Sequence, residues 1–146
     1  MAEPFILLVE DNRDDADLTV LAFRNNHIAH KIVVARDGAE ALDILFGPAG
    51  QSDARPELPA VVILDLNLPK ISGIEVLKNI RATPRTALLP VVVLTTSAED
   101  ADVLSSYRNG CNAYVQKPVS FDDFLDATCK LGLFWLLLNV QPPAAP

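Results

Sequence analysis

Short apolar runs alternate along the chain with stretches whose apolar positions recur every three or four residues. The runs are Phe5–Val9, Lys31–Ala35 behind its leading lysine, Ala60–Leu64, Val91–Leu94 and Ala113–Val115. Each is an apolar run too short for a helix, which predicts strands. Between them, residues 13 to 26 place Leu18, Leu21 and Ala22 on one helical face. Asp37 is positioned to cap a second helix carrying Leu42 and Leu45. Ser72 and Glu75 have capping-box spacing at the head of the stripe Ile74, Leu77 and Ile80. Ser97 is read as opening a fourth helix that closes near Gly110, and Ser120 with Asp123 opens the last.

The pattern is a strand-helix unit repeated five times. Strands that are apolar along their whole length are expected where a parallel sheet is covered on both faces. Helices between such strands imply right-handed crossovers. The predicted fold class is therefore α/β: a doubly wound, five-stranded parallel sheet with helices on both faces. Residues 1–140 form one domain in this reading, and the proline-rich residues 141–146 an extended tail. Residues 47 to 59, with Gly-Pro, Ala-Gly and Pro-Glu-Leu-Pro, carry no apolar period and read as a long loop.

Composition narrows the function. Half of the 146 residues are hydrophobic, enough for a substantial core, and the formal net charge is −7. Nucleic acid and anionic membranes attract basic surfaces, so neither is an expected partner. Cys111 and Cys129 are too few for a disulfide framework and read as free thiols. No signal peptide is visible, and the apolar stretch Leu131 to Leu138 is too short to span a bilayer. The expected location is the cytoplasm.

Sites on open parallel sheets lie beyond the carboxyl ends of the strands. Those ends supply Glu10 and Asp11, then Asp65, then Thr95 and Thr96, then Lys117 and Pro118. Two carboxylates about 4 Å apart repel by roughly 4 kcal/mol at an effective dielectric near 20, so clustered acids call for a cation. Mg²⁺ suits one or two carboxylates, waters and phosphate oxygens. Asp11 and Asp65 are the expected direct ligands, Glu10 reaches the ion through water, and the backbone carbonyl of Asn67 fills another position. Lys117 adds a compact positive charge and Thr95 a hydroxyl donor. That set suits a phosphoryl group arriving on Asp65, because such transfer depends on positioning and on neutralising phosphoryl oxygens. Alone, each element is ordinary: Asp-x-Asn is a common turn, and threonine after a strand a common cap. The conjunction at four strand ends carries the reading.

The segments Leu-Val-Glu-Asp-Asn at 8–12, Leu-Asp-Leu-Asn-Leu-Pro at 64–69 with Ser-Gly at 72–73, Val-Leu-Thr-Thr-Ser at 93–97 and Tyr-Val-Gln-Lys-Pro at 114–118 resemble the response-regulator receiver family over nearly the whole chain. The resemblance implies a flavodoxin-like sheet with strand order 2-1-3-4-5. It implies that Asp65 accepts a phosphoryl group from a phosphohistidine on a sensor histidine kinase, with Glu10 and Asp11 holding Mg²⁺. Thr95 would swing toward the phosphoryl group, Lys117 would contact it, and the Lys117–Pro118 bond would be cis. Tyr114 would follow Thr95 by changing rotamer. Asn67 and Ser97 would occupy positions that tune phosphoryl lifetime in the family. Within the family the chain looks like the small regulators that partner bacterial phytochromes, on the grounds of Thr-Thr-Ser after the fourth strand, the long loop after the second helix and the apolar Phe134-Trp135 end.

Leu131–Leu138 is apolar on all sides, and an all-round apolar segment on a surface helix should leave a patch that associates. A two-fold homodimer through Leu133, Phe134, Trp135 and Leu137 is the expectation. His27 and His30 lack further ligands nearby and read as solvated loop residues. Three rival functions fit less well. A phosphatase of the haloacid dehalogenase type wants a second acid where Asn67 stands. A flavodoxin-like electron carrier wants a phosphate loop where Glu10 and Asp11 stand. A receiver-like scaffold without chemistry would not need the full set Glu10, Asp11, Asp65, Thr95 and Lys117.

Overall fold

Each apolar run becomes a strand of one parallel sheet. The strands are β1 (Phe5–Val9), β2 (Lys31–Ala35), β3 (Val61–Leu64), β4 (Val91–Thr95) and β5 (Ala113–Gln116). They are ordered β2-β1-β3-β4-β5, as the receiver resemblance implies. The helices between and after them are α1 (Arg13–Asn25), α2 (Gly38–Phe46), α3 (Gly73–Ala82), α4 (Asp100–Arg108) and α5 (Phe121–Gly132). The computed structural model describes residues 5–47 and 57–143, so most of the loop expected at 47–59 and the end of the tail lie outside the described residues.

Because strand side chains alternate between faces, the core divides into two layers. Leu7, Val9, Val62, Leu64, Val91 and Val93 point to one face, where Ala41 and Leu45 of α2 and Val76, Leu77 and Ile80 of α3 cover them. Ile6, Leu8, Val61, Ile63, Val92 and Leu94 point to the other, under Ala16 and Phe23 of α1 and Leu131 of α5. Burying such a side chain is worth about 1.5–3 kcal/mol. This two-sided covering is what lets the central strands be apolar at every position.

The helix starts follow local chemistry. Asp37 Oδ1 accepts the Glu40 N–H at 2.8 Å, and Ser120 Oγ accepts the Asp123 N–H at 3.1 Å, as the spacing predicts. Ser72 Oγ accepts from Glu75 at 3.3 Å. Helix α4 ends in a Schellman motif: Gly110, at φ +94°, donates to the Tyr107 carbonyl and Cys111 to that of Ser106. At the same end of the sheet, Arg81 clamps three segments. Its guanidinium donates to the carbonyls of Gly110, Ala87 and Leu89 at 2.8, 3.0 and 2.7 Å, and to Asn112 Oδ1 at 3.0 Å.

The structure corrects three expectations. In α1 the buried residues are Ala16, Thr19, Ala22 and Phe23, while Leu21 is exposed. Position 21 lies about 100° around the helix from Ala22 and about 200° from Phe23, so the two cannot share its face. Ser97 does not open α4, whose N-cap is Glu99. Its hydroxyl instead donates to Asp102 Oδ2 at 2.5 Å. The last helix does not stay α-helical to its end. After Gly132 it widens into a π-helical turn, Leu133–Leu138, closed by the Asn139 N–H on the Phe134 carbonyl at 2.7 Å.

Gly73, the first residue of α3, touches the functional end of the sheet: a Cβ there would stand 2.2 Å from the Asp65 carbonyl oxygen. Gly→Ala in an open helix stabilises by up to about 1 kcal/mol. At Gly73 the sign should reverse. Gly73→Ala is expected to lose about 2 kcal/mol in urea unfolding, since overpacking costs about 1–3 kcal/mol. A neutral or stabilising result would refute the close approach.

Candidate functional site

The parallel ladder runs one residue past the strands and fixes the backbone of the site. Glu10 N–H donates to the Ala35 carbonyl at 2.9 Å, Asp65 N–H to Val9 at 3.0 Å and Lys117 N–H to Thr95 at 2.7 Å. Residues far apart in sequence are therefore set side by side by main-chain bonds alone. Glu10, Asp11 and Asp65 each offer a carboxylate oxygen, all within 4.8 Å of one another. Glu10 and Asp65 are buried, and Asp11 is open to solvent. Hard oxygen donors at this spacing fit a divalent cation.

Lys117 enters from the far side and is itself buried. Its ammonium has three N–H bonds and uses them on three carboxylates: Glu10 Oε1, Asp15 Oδ2 at 2.9 Å and Asp65 Oδ2 at 3.0 Å. Burial disfavours the ammonium, but hydrogen bonds to Glu10 and Asp15 and the charges of Glu10 and Asp65 outweigh it and raise its pKa above the usual lysine value. Burial pushes the Glu10 carboxyl up to about 7, against the pull of Lys117. Both shifts run toward holding protons, as expected for a dry cluster carrying more negative charge than one lysine offsets. A bound dication would meet the same deficit.

Asp15 was not legible as a site residue. In the sequence it is one of several acids in the first turn of a helix, where acids are common because of the helix dipole. The weak signal was its place one helical turn after Asp11. Asn67 is exposed, and its N–H donates to Asp65 Oδ1 at 3.2 Å. Thr95 is fully buried, and among the described residues its hydroxyl has no hydrogen-bond partner. Such orphans are rare in native interiors, and each costs about 1–3 kcal/mol. Tyr114 is half-buried on β5 and donates from its hydroxyl to the Ser97 carbonyl at 2.9 Å. Burial raises its pKa. The Lys117–Pro118 bond does not follow expectation: among the described residues no peptide bond is cis. The preference before proline is small, and trans is its default side.

Comparison with known proteins supplies the family. The description "Response regulator receiver domain" matches residues 6–128. The chain belongs to the response regulator receiver family. Its members act in two-component signalling. The probable methanogenesis regulatory protein FilR2 of Methanothrix harundinacea is 42% identical over 144 residues, 98% of this chain and 91% of the relative. Response regulator Rcp1 of Synechocystis is 37% identical over 139 residues, 95% of this chain and 93% of Rcp1. The Mn²⁺-bound crystal structure of Rcp1 matches with a TM-score of 0.87, covering 96% of this chain and 99% of that one at 36% identity. The phosphorylated cyanobacterial phytochrome response regulator RcpA matches with a TM-score of 0.88, covering 97% and 100% at 36% identity. Among the described residues of this receiver domain, no helix is long and apolar enough to cross a membrane.

Because Lys117 is the counter-charge for three acids, its loss should show in stability. In chelating buffer Lys117→Met is expected to cost about 3 kcal/mol, the usual scale for stripping one partner from a buried ion pair. A saturating divalent cation should recover part of that loss. An unchanged urea midpoint without metal would contradict the pairing.

Proposed function

We propose that Asp65 is the phosphoacceptor of a response regulator and takes its phosphoryl group from a phosphohistidine on a sensor histidine kinase. The observation that carries this is the Asp65 carboxylate itself, buried at the end of the central strand between an acidic cluster and a lysine ammonium. An Asp65 oxygen attacks phosphorus, the phosphorus–nitrogen bond breaks, and the histidine leaves with the electron pair. Glu10, Asp11, Asp65 and the backbone carbonyl of Asn67 would hold Mg²⁺, which would supply positive charge to the phosphoryl oxygens. Lys117 supplies a second positive charge there. The unpartnered Thr95 hydroxyl supplies the donor that turns to the phosphoryl group.

The switch follows from that hydroxyl. When Thr95 turns, the space it leaves favours a second rotamer of Tyr114, whose bond to the Ser97 carbonyl must break. The surface beside α4 and β5 then differs between the two states. Residues 1–140 act as this one signalling unit in the cytoplasm, as a phosphoacceptor whose only chemistry is its own phosphorylation and dephosphorylation. A phytochrome-type kinase as partner is supported by the likeness to RcpA, a phytochrome response regulator by name, and by the sequence features noted above.

A homodimer through Leu133, Phe134, Trp135 and Leu137 belongs to the same reading, with a division of labour. Trp135 and Leu136 pack against the chain's own core, while Phe134, Leu137 and Leu138 are exposed. Phe134 stands edge-on to Trp135, ring centroids 5.1 Å apart. Phe134→Asp combined with Leu137→Asp leaves the Trp135 anchor in place. It is expected to convert a dimer to a monomer in light-scattering mass measurements, and a dimer that survives both changes would exclude this interface.

The central test is intact-mass analysis after incubation with acetyl phosphate and Mg²⁺. One added phosphoryl group is expected, and none in Asp65→Asn. A chain that stays unmodified, or one modified equally without Asp65, would refute the proposal.

A further inference from the structure

The third partner of Lys117 has no place in the cation cluster. One oxygen each from Glu10, Asp11 and Asp65 converge, but Asp15 is not among them. It approaches Lys117 from the first turn of α1, with its side chain 27% exposed. A helix-start acid that served only the dipole would face water. Asp15 instead puts Oδ2 at 2.9 Å from a buried ammonium.

A closed ring of local bonds puts it there. Glu10 Oε2 accepts the Asn12 N–H at 3.1 Å. Asn12 caps α1, its Oδ1 accepting the Asp15 N–H at 3.0 Å. Asp15 then reaches Lys117, which returns to Glu10. The segment from Glu10 to Asp15 is thus shaped around the ammonium before any ligand arrives.

The other two holders of Lys117 have competing duties in the reaction. Glu10 belongs to the cation cluster. Asp65 becomes an acyl phosphate, and its carboxylate loses its full negative charge as the oxygen–phosphorus bond forms. At that moment Asp15 alone, of the three, neither reacts nor joins the cluster. We propose that Asp15 is a positioning residue for phosphotransfer: it holds the Lys117 ammonium where the phosphoryl oxygens arrive, while Glu10 and Asp65 are drawn to other partners. The inference rests on Asp65 being the phosphoacceptor. Small misplacements of a charge-stabilising group are costly in rate, so an unanchored Lys117 should slow the transfer.

The test uses acetyl phosphate at saturating Mg²⁺. An Asp65 oxygen attacks phosphorus, the bond from phosphorus to the acetate oxygen breaks, and acetate leaves with the electron pair. Asp15→Asn and Asp15→Ala are expected to lower the rate constant for phosphorylation on the order of tenfold. Asp15→Glu, which keeps a carboxylate on the same helix turn, is expected to recover most of it. Mg²⁺ affinity should stay within about threefold of the unsubstituted chain, since a charge outside the coordination shell acts on the ion only through a screened field. Thermal melting of each variant, read alongside, separates rate from folding, and the Asp15→Glu recovery carries the test if the neutral variants melt early. A wild-type rate in Asp15→Asn overturns the proposal. So does a loss that disappears as Mg²⁺ is raised, which would put Asp15 in the cation shell, or an Asp15→Glu chain as slow as Asp15→Asn. Failure of the underlying reading looks different: the unsubstituted chain itself would take up no phosphoryl group.

Discussion

The ammonium of Lys117 is the interaction on which the functional end of this protein depends. Two carboxylates with little access to water, those of Glu10 and Asp65, cannot stand close together as anions without a nearby positive charge. The sheet could place them so only because β5 delivers a lysine at the matching level, its backbone tied to Thr95. The arrangement is still short of positive charge, since Asp11 and Asp15 add two more acids. The fold thus holds an unbalanced site, and an excess of negative charge of this kind favours a cation.

Much of this was legible in the chain because two strong regularities coincide. Five apolar runs could only be strands covered on both sides, and a parallel sheet gathers the carboxyl ends of its strands whatever their order in sequence. Glu10, Asp11, Asp65 and Lys117 fall at those ends, so their meeting followed from topology. Asp15 did not follow, because it belongs to a helix, and its reach to Lys117 depends on the angle at which α1 leaves β1. The idle hydroxyl of Thr95 could not be foreseen either, since hydrogen-bond satisfaction is a property of the packed interior.

The misread elements share a cause. Leu21 fits the apolar periodicity of α1 yet faces water, because Thr19, which counts for little in such a pattern, fills the buried stripe. Ser97 looked like a cap because serine often is one. In the fold it ties the segment after β4 to Asp102, while its carbonyl receives Tyr114. A short segment that holds both an acid and an aromatic ring is better placed to report on β4 than a helix cap would be. The widening after Gly132 belongs to the same class: an unbroken apolar run says nothing about the pitch at which it is wound.

The Arg81 fork has a mechanical meaning. By bridging the end of α3, the turn before β4 and the turn before β5, it ties β4 to β5 at their amino ends. The four bonds add to the β4–β5 ladder in fixing where the two strands begin relative to each other. A lysine at position 81, a single point of charge, could not span the same three attachments.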